Sequence, residues 1–306
     1  MSKEKLVVLL RALRVNQWIK NLVVFTAIVF SGALFVPDAF AKALFAFFVF
    51  CLLSSTSYVL NDIIDYPYDK KHPIKKFRPI ASGKISIPEA TFIVFILTLA
   101  SLIIALFFSI PFFLLSLVFI LLHFFYSLYL KKQPVIDIFT ISISFMIRTI
   151  AGEVATGYHI PIWLLYTIFF GSLFMATVKR DAELASHGAE ARISLDRYKA
   201  HLLDFLTNAF ATGTILAYAF YTYVEKPPRI PTIFSDLMNS WLPNFEARRW
   251  MMVSIPLVVY GIARYAQLLY EKAEGERPER IVTTDRPLII TMVLWGIFVI
   301  GLIYVF

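Results

Sequence analysis

Long apolar segments separated by short polar connections dominate the chain. A helix that spans a membrane needs about 20 predominantly apolar residues, and nine segments approach that length. The pattern therefore predicts an all-α, multi-pass transmembrane bundle of about nine helices. An amphipathic stretch from Leu6 to Lys20 leads into the short first segment and could extend it. The segments are residues 22–37, 43–60, 90–109, 112–130, 135–156, 161–178, 203–224, 250–270 and 287–306.

The connections between these segments differ in length. Ser109, Ile110 and Pro111 alone separate the third segment from the fourth, which predicts a tight helical hairpin. The connection at residues 225–249 holds four prolines, and we expect a surface loop there. Because no internal repeat or low-complexity linker divides the chain, we expect a single integral-membrane domain over residues 1–306.

The composition excludes several classes of protein. Of the 306 residues, 59% are hydrophobic and 16% are charged, whereas a soluble domain carries about 25% charged residues. This balance excludes a disordered chain and a soluble enzyme. The single cysteine, Cys51, excludes an internal disulfide scaffold.

The basic residues indicate how the chain is oriented in the membrane. If the N-terminus is cytoplasmic, the cytoplasmic segments hold 22 of the 29 Lys and Arg residues and the external segments hold five. Loops rich in Lys and Arg remain on the cytoplasmic side. The pattern therefore predicts a cell (inner) membrane protein with a cytoplasmic N-terminus. We attribute the net charge of +8 to these loops and not to nucleic-acid binding.

An acidic motif follows the second apolar segment directly, at Asn61, Asp62, Asp65 and Asp69. Residues spaced by three or four lie on one face of a helix, and clustered carboxylates repel each other unless a cation is present. Magnesium prefers such hard oxygen ligands together with substrate phosphate, so we expect these four residues to bind it. A solvated loop with helix-capping acids is the alternative. Pro67 should break the helix, which could place Asp69 in a turn.

A basic loop comes next, with Lys75 and Arg78 as candidate phosphate ligands. A basic loop directly after an acidic one suggests a phosphate held between a metal and cations. The same charges could instead anchor the loop on the cytoplasmic side. Lys20 borders the first segment on that side and is a further candidate for a phosphate contact, or for a membrane-interface belt with Trp18.

Charged residues recur at the end of the sixth segment and within the fifth. Lys179, Arg180 and Glu183 lie where the sixth segment leaves the membrane, and the two cations favour phosphate contact. Snorkelling at a helix end is the alternative for Lys179. Arg148 lies well inside the fifth segment, where a charge is costly and faces the bundle interior. It is either a substrate-pocket residue or the partner of Glu153. We expect His123 and Tyr126 to satisfy buried hydrogen bonds.

These motifs together resemble the UbiA superfamily of membrane prenyltransferases, whose signature is Asn-Asp-x-x-Asp-x-x-x-Asp after a second span. The basic extension is similar to that of one branch, the decaprenyl-phosphate 5-phosphoribosyltransferases. Pro67, Lys70, Glu153 and Asp181 depart from that branch's usual pattern. The further elements of the resemblance are Gln17-Trp18-x-Lys20-Asn21, His72-Pro73-x-Lys75-x-x-Arg78-Pro79, Arg148-Thr149-Ile150-Ala151-Gly152, Lys179-Arg180-x-x-Glu183-Leu184, Ser194, Leu195 and Tyr198.

The resemblance implies a UbiA-like fold, a cytoplasmic active site and a role in cell-wall biosynthesis. It implies Mg2+-dependent transfer of 5-phosphoribosyl from phosphoribosyl diphosphate (PRPP) to a polyprenyl (decaprenyl) phosphate, with Asp62, Asp65 and Asp69 as the catalytic acids. The sequence leaves open a homo-oligomer. It also leaves two other functions open: transfer of a prenyl group from its diphosphate to an aromatic or lipid acceptor, and cation transport.

Overall fold

The computed structural model describes residues 3–187, 200–226, 237, 240–241, 249–272 and 284–305. Within these ranges the chain forms helices and no strand, which confirms the predicted fold class. Ser194, Leu195 and Tyr198, and most of the 225–249 connection, lie outside the described residues. The α-helices are α1 Lys3–Ala12, α2 Thr26–Phe30, α3 Pro37–Ile64, α4 Tyr66–Asp69, α5 Ile87–Phe108, α6 Ile110–Leu128, α7 Ile136–Thr156, α8 Ile162–His187, α9 Ala200–Val224, α10 Ile255–Lys272 and α11 Arg286–Tyr304.

Eight helical segments in the described part of the chain are long and apolar enough to cross a membrane. A ninth, shorter apolar segment covers Val15–Phe30, where a 3-10 helix at Val15–Phe25 continues into α2. The count agrees with the nine predicted segments. The predicted bounds of the first one lie too late at both ends, because it begins inside the amphipathic lead-in and ends at Phe30.

The predicted hairpin between α5 and α6 is present. Ser109 ends α5 in an extended conformation, with φ −167° and ψ 152°. Its side-chain oxygen then accepts a hydrogen bond from the Phe112 backbone N–H at 3.3 Å and caps α6. Pro111 lies in the first turn of α6, where its missing N–H costs nothing. The three residues that separate the segments therefore carry the start signal of the second helix.

Contacts between Cα atoms divide the chain into two compact units. The first unit comprises residues 1–27, 36–131 and 147–158. In it α3 packs against the Val15–Phe25 helix, α5 and α6. The core of this unit includes Phe50, Phe112 and Phe119, which are fully buried and meet edge to face.

The second unit comprises residues 28–35, 132–146 and 159–306. Helices α8 and α9 pack along their lengths, and α10 packs against α11. The Tyr218 hydroxyl joins three segments, because it lies 2.6 Å from the Ser254 hydroxyl and accepts a hydrogen bond from the Trp295 indole at 2.8 Å. The Tyr304 hydroxyl near the end of α11 donates to the carbonyl oxygens of Ile28 and Val29, two backbone acceptors near the end of α2.

Gly152 in α7 makes a very close backbone approach in the first unit. A Cβ atom built on this residue would lie 2.0 Å from the Val24 carbonyl oxygen. No side chain larger than hydrogen fits there without moving the Val15–Phe25 helix. This contact gives a structural reason for the glycine in the Arg148–Gly152 element.

We predict that Gly152→Ala destabilises the purified protein by about 1–3 kcal/mol, because overpacking forces the backbone apart. Gly261→Ala is the matched control. Gly261 lies within α10, and among the described residues no neighbour outside its own helical turn comes within 4 Å of a Cβ atom added to it. Thermal unfolding in detergent checks both variants. A Gly152→Ala protein as stable as the control would contradict the close approach.

Candidate active site

The acidic motif lies where α3 ends and a second short helix begins. Helix α3 stops at Ile64, Asp65 follows it, and α4 runs from Tyr66 to Asp69 with Pro67 in its first turn. The helix break predicted from Pro67 is therefore confirmed. Asp69 is the last residue of α4, and its backbone N–H still bonds to the Asp65 carbonyl at 2.8 Å. The four motif residues fall into two clusters.

The first cluster, here named the Asp62 cluster, consists of Asp62, Asp69, Arg14 and Arg78. Both carboxylates are buried, with 3% of each residue exposed. Nη1 of Arg78 donates to Asp62 Oδ1 at 3.1 Å and to Asp69 Oδ2 at 2.7 Å. Nη2 of Arg14 donates to the same Asp62 oxygen. Two buried carboxylates therefore converge on one guanidinium nitrogen.

Arg14 reaches this cluster from a strained backbone position. Its φ and ψ are 50° and 49°, the left-handed region that a non-glycine residue rarely adopts. The residue separates α1 from the Val15–Phe25 helix, and its guanidinium also lies 5.0 Å from the ring centre of Tyr58. Strain of this kind persists only where surrounding contacts hold it. The ion pair with buried Asp62 is one such contact.

The second cluster, here named the Lys131 cluster, consists of Asn61, Asp65 and Lys131. Lys131 is 7% exposed, and its Nζ contacts Asp65 Oδ1 and lies 3.1 Å from Asn61 Oδ1. The Asn61 side-chain amide donates to Asp65 Oδ2 at 2.9 Å. Both oxygens of Asp65 therefore have partners. The structure places Asp65 on a lysine and not beside Asp62 and Asp69.

The four residues expected to bind magnesium are thus not brought together as one set. Among the described residues, no three His, Cys, Asp or Glu side chains form a group that could hold a metal ion. Asp62 and Asp69 are suitable ligands for a divalent cation. They present hard oxygen donors, and Arg78 shows that one positive group can contact both.

The basic loop folds into a short 3-10 helix at Lys75–Phe77, after which the chain extends at Arg78. The ring Nδ1 of His72 accepts hydrogen bonds from the backbone N–H groups of Ile74 and Lys75, at 3.2 and 3.3 Å. The His-Pro pair therefore shapes the turn that carries Lys75. Of the two predicted phosphate ligands, Arg78 lies in the Asp62 cluster, and Lys75 lies three residues before it on the same turn. Lys20 lies in the Val15–Phe25 helix and is half-buried.

Arg148 is enclosed within the first unit, with 4% of its surface exposed. Its Nε donates to Asn21 Oδ1 at 2.7 Å and its Nη2 to Ser54 Oγ at 3.3 Å. The guanidinium carbon also lies 4.6 Å from the ring centre of Phe119. Arg148 therefore ties the Val15–Phe25 helix, α3 and α7 together. The Nε2 atom of His123 is buried without a hydrogen-bond partner among the described residues, so that part of the expectation for His123 is wrong.

The second basic motif forms its own network in the second unit. Arg180 Nε donates to Asp137 Oδ2 at 2.8 Å, and Arg180 Nη1 donates to Glu183 Oε2 at 2.7 Å. The Lys179 ammonium lies 4.0 Å from Glu183 Oε1. Arg180 and Asp137 are buried, whereas 30% of the Lys179 side chain and 21% of the Glu183 side chain are exposed. Lys179 and Glu183 are therefore the more accessible of these four charges.

Three residues in these networks are not among the site residues predicted from the sequence. These residues are Arg14, Lys131 and Asp137. Each lies more than 40 positions along the chain from its carboxylate or guanidinium partner. The available signal is the number of acids at the helix ends and in the polar connections, because buried acids require cations beside them.

The fold and the clusters are those of a polytopic membrane protein. Its paired carboxylates and cations suit a phosphorylated ligand. The model of the UbiA prenyltransferase family matches residues 22–282. The chain belongs to this family and is an integral membrane protein.

Individual relatives are similar over almost the whole chain. The decaprenyl-phosphate phosphoribosyltransferase of Mycolicibacterium smegmatis is 37% identical over 94% of this chain and 89% of that protein. The protein of the same name from Corynebacterium glutamicum is 32% identical over 97% and 87%. A UbiA homolog from Archaeoglobus fulgidus, solved with GPP and Mg2+, has a TM-score of 0.70 at 18% identity over 97% of this chain and 99% of that chain. At that identity the likeness shows the fold alone.

We predict that Asp65→Asn destabilises the metal-free protein by about 3–5 kcal/mol, because it leaves the Lys131 charge buried without its counter-charge. Asp38→Asn is the matched control. Asp38 pairs with Lys42 on an exposed helix face, where such a pair is worth about 0.3–0.5 kcal/mol. Thermal unfolding in excess chelator checks the difference. A gain in stability from Asp65→Asn would indicate that Asp65 repels the other acids and is not paired.

Proposed function

We propose that this protein is a Mg2+-dependent transferase that moves 5-phosphoribosyl from PRPP to a polyprenyl phosphate such as decaprenyl phosphate, releasing diphosphate. The curated relatives named for this reaction support the substrates. The observation that carries the chemistry is the Asp62 cluster, where two buried carboxylates and two guanidinium groups meet at a helix end. Such a cluster suits a polyphosphate, which needs both a metal and cationic donors.

In the proposed reaction, the bond between the anomeric carbon and the diphosphate oxygen breaks, and the electron pair leaves with the diphosphate. An oxygen of the lipid phosphate forms the new bond to that carbon. The lipid phosphate is already anionic at neutral pH, so the step requires no general base. Attack from the face opposite the leaving group inverts the anomeric centre.

The residues of the first unit have separate roles in this proposal. Asp62 and Asp69 would hold Mg2+, which neutralises charge on the leaving diphosphate when it is bound. Arg78 would donate to the phosphate oxygens once it leaves the carboxylates, and Lys75 and Lys20 would add positive charge. Asn61 and Asp65, held by Lys131, would fix the end of α3. Arg148 would hold the Val15–Phe25 helix and α3 together through Asn21 and Ser54, or contact substrate.

In the second unit, we propose Lys179 and Glu183 as donor contacts, on their exposure and on the resemblance. The orientation proposed for the whole protein places the N-terminus and both motifs on the cytoplasmic side. The distribution of Lys and Arg supports this orientation.

The test incubates the purified protein with PRPP labelled in the ribose, Mg2+ and decaprenyl phosphate. Label should move into the lipid phase, and it should not do so with Asp62→Asn or Asp69→Asn. Each variant removes one of the two carboxylates proposed to hold Mg2+ and should lower turnover by several orders of magnitude. Lys42→Gln, at an exposed helix pair, is the control for unaltered turnover. No transfer of label by the wild-type protein would contradict the proposal.

A second candidate is transfer of a prenyl group from its diphosphate to an aromatic or lipid acceptor. The UbiA prenyltransferase family, whose model matches residues 22–282, favours it. The same Asp62 cluster would serve that reaction. The accessible Lys179 ammonium favours phosphoribosyl transfer, and membership in a transferase family leaves cation transport without support.

We predict that Arg78→Gln tightens Mn2+ binding about tenfold while it weakens PRPP binding about tenfold, the range for one charged hydrogen bond. The reason is that Arg78 contacts both carboxylates and competes with the metal for them. Calorimetric titration of Mn2+ and of PRPP checks both effects. Lys76→Gln, in the same loop and facing the Phe77 ring, is the matched control and should change neither. Weaker Mn2+ binding in Arg78→Gln would contradict the competition.

A further inference from the structure

We infer that Asp137 is a positioning residue for the proposed reaction, which acts through Arg180 on Glu183. This inference rests on the proposed function. It concerns the second unit alone, and it changes the expected role of Arg180 from a phosphate ligand to the central member of a buried ion-pair chain. The groups that the motif presents to a donor are then Lys179 and Glu183.

The Asp137 carboxylate is held in one orientation. Asp137 lies in the first turn of α7 and is fully buried. One carboxylate oxygen accepts from Arg180 Nε at 2.8 Å, and the other accepts from the Ile138 backbone N–H at 2.9 Å. With both oxygens held, the carboxylate has a fixed orientation. It also supplies the counter-charge without which a buried guanidinium would be costly.

The Arg180 guanidinium donates to two carboxylates. Nε faces Asp137 and Nη1 faces Glu183, three residues further along α8. A planar guanidinium has a rigid set of donors, so fixing one edge fixes the other. Only 3% of the Arg180 side chain is exposed. It is therefore placed to orient Glu183 and not to meet a soluble donor.

The orientation of Glu183 determines how closely it approaches Lys179. Glu183 Oε2 is held by Arg180, which leaves Oε1 directed to the side of Lys179, 4.0 Å from its ammonium. Without the Asp137 carboxylate, the guanidinium loses the contact that fixes its Nε edge, and we expect Glu183 and Lys179 to pair with each other more closely. Lys179 would then be less available to a phosphate group.

The test measures donor KM and kcat for Asp137→Asn, which has the shape of aspartate but no charge. We expect the donor KM to rise about tenfold, the range for one charged hydrogen bond, with kcat changed less than about twofold. The matched control is Asp285→Asn. It removes a different carboxylate of the same unit, one that is 10% exposed and paired with Arg264 at 2.9 Å. The control should lose comparable thermal stability and keep the donor KM of the wild-type protein.

A double-mutant cycle with Glu183→Gln separates positioning from direct contact. If Asp137 acts through Glu183, Asp137→Asn adds no further rise in KM once Glu183 is Gln. If Asp137→Asn does not fold, Arg180→Lys replaces it, because an ammonium cannot hold both carboxylates in the same way. It too should add nothing in the Glu183→Gln background. A full additional rise would assign Arg180 to the phosphate and overturn the inference.

The outcomes distinguish this inference from the proposed function. If the wild-type protein does not turn over PRPP, both fail. If the wild-type protein turns over PRPP and Asp137→Asn has an unchanged or lower donor KM, the inference alone fails. An equal rise in donor KM for Asp285→Asn would also overturn it, because the effect would then follow any lost ion pair in the unit.

Discussion

Two buried carboxylates, Asp62 in the last turn of α3 and Asp69 at the end of α4, are each only 3% exposed and require positive charge beside them. A buried ion pair offsets the loss of hydration only with close contacts and further hydrogen bonds, and removing one partner is strongly destabilising. This requirement explains the course of the chain around the cluster. Arg14 occupies a left-handed backbone position to reach Asp62, and the basic loop returns Arg78 to both acids.

The same requirement governs the other charges placed within the helical units. Lys131 forms an ion pair with Asp65 and a hydrogen bond with Asn61. Arg180 forms ion pairs with Asp137 and Glu183. Arg148 is surrounded by the oxygen atoms of Asn21 and Ser54 and by the Phe119 ring. Under the proposed function, a metal and a phosphorylated substrate would replace the ion pairs of the Asp62 cluster, which would link the stability of the fold to that function.

Local features are predictable from the sequence, and long-range pairings are not. The apolar segments and the α5–α6 hairpin follow from residues adjacent in the chain, and Pro67 locates the end of α3. Helical spacing suggests that Asp65 joins the other acids. Its partner Lys131 lies 66 positions away, and Arg180 lies 43 positions from Asp137. Such pairings depend on how helices pack, which periodicity does not report.

The central claim is that the donor is PRPP, and direct competition tests it most simply. The wild-type protein is incubated in one tube with equal amounts of PRPP and a prenyl diphosphate, together with decaprenyl phosphate, an aromatic acid and Mg2+. Mass spectrometry of the lipid phase then identifies the products. The account predicts phosphoribosylated decaprenyl phosphate and no prenylated acid. A prenylated acid without the phosphoribosyl lipid would contradict it.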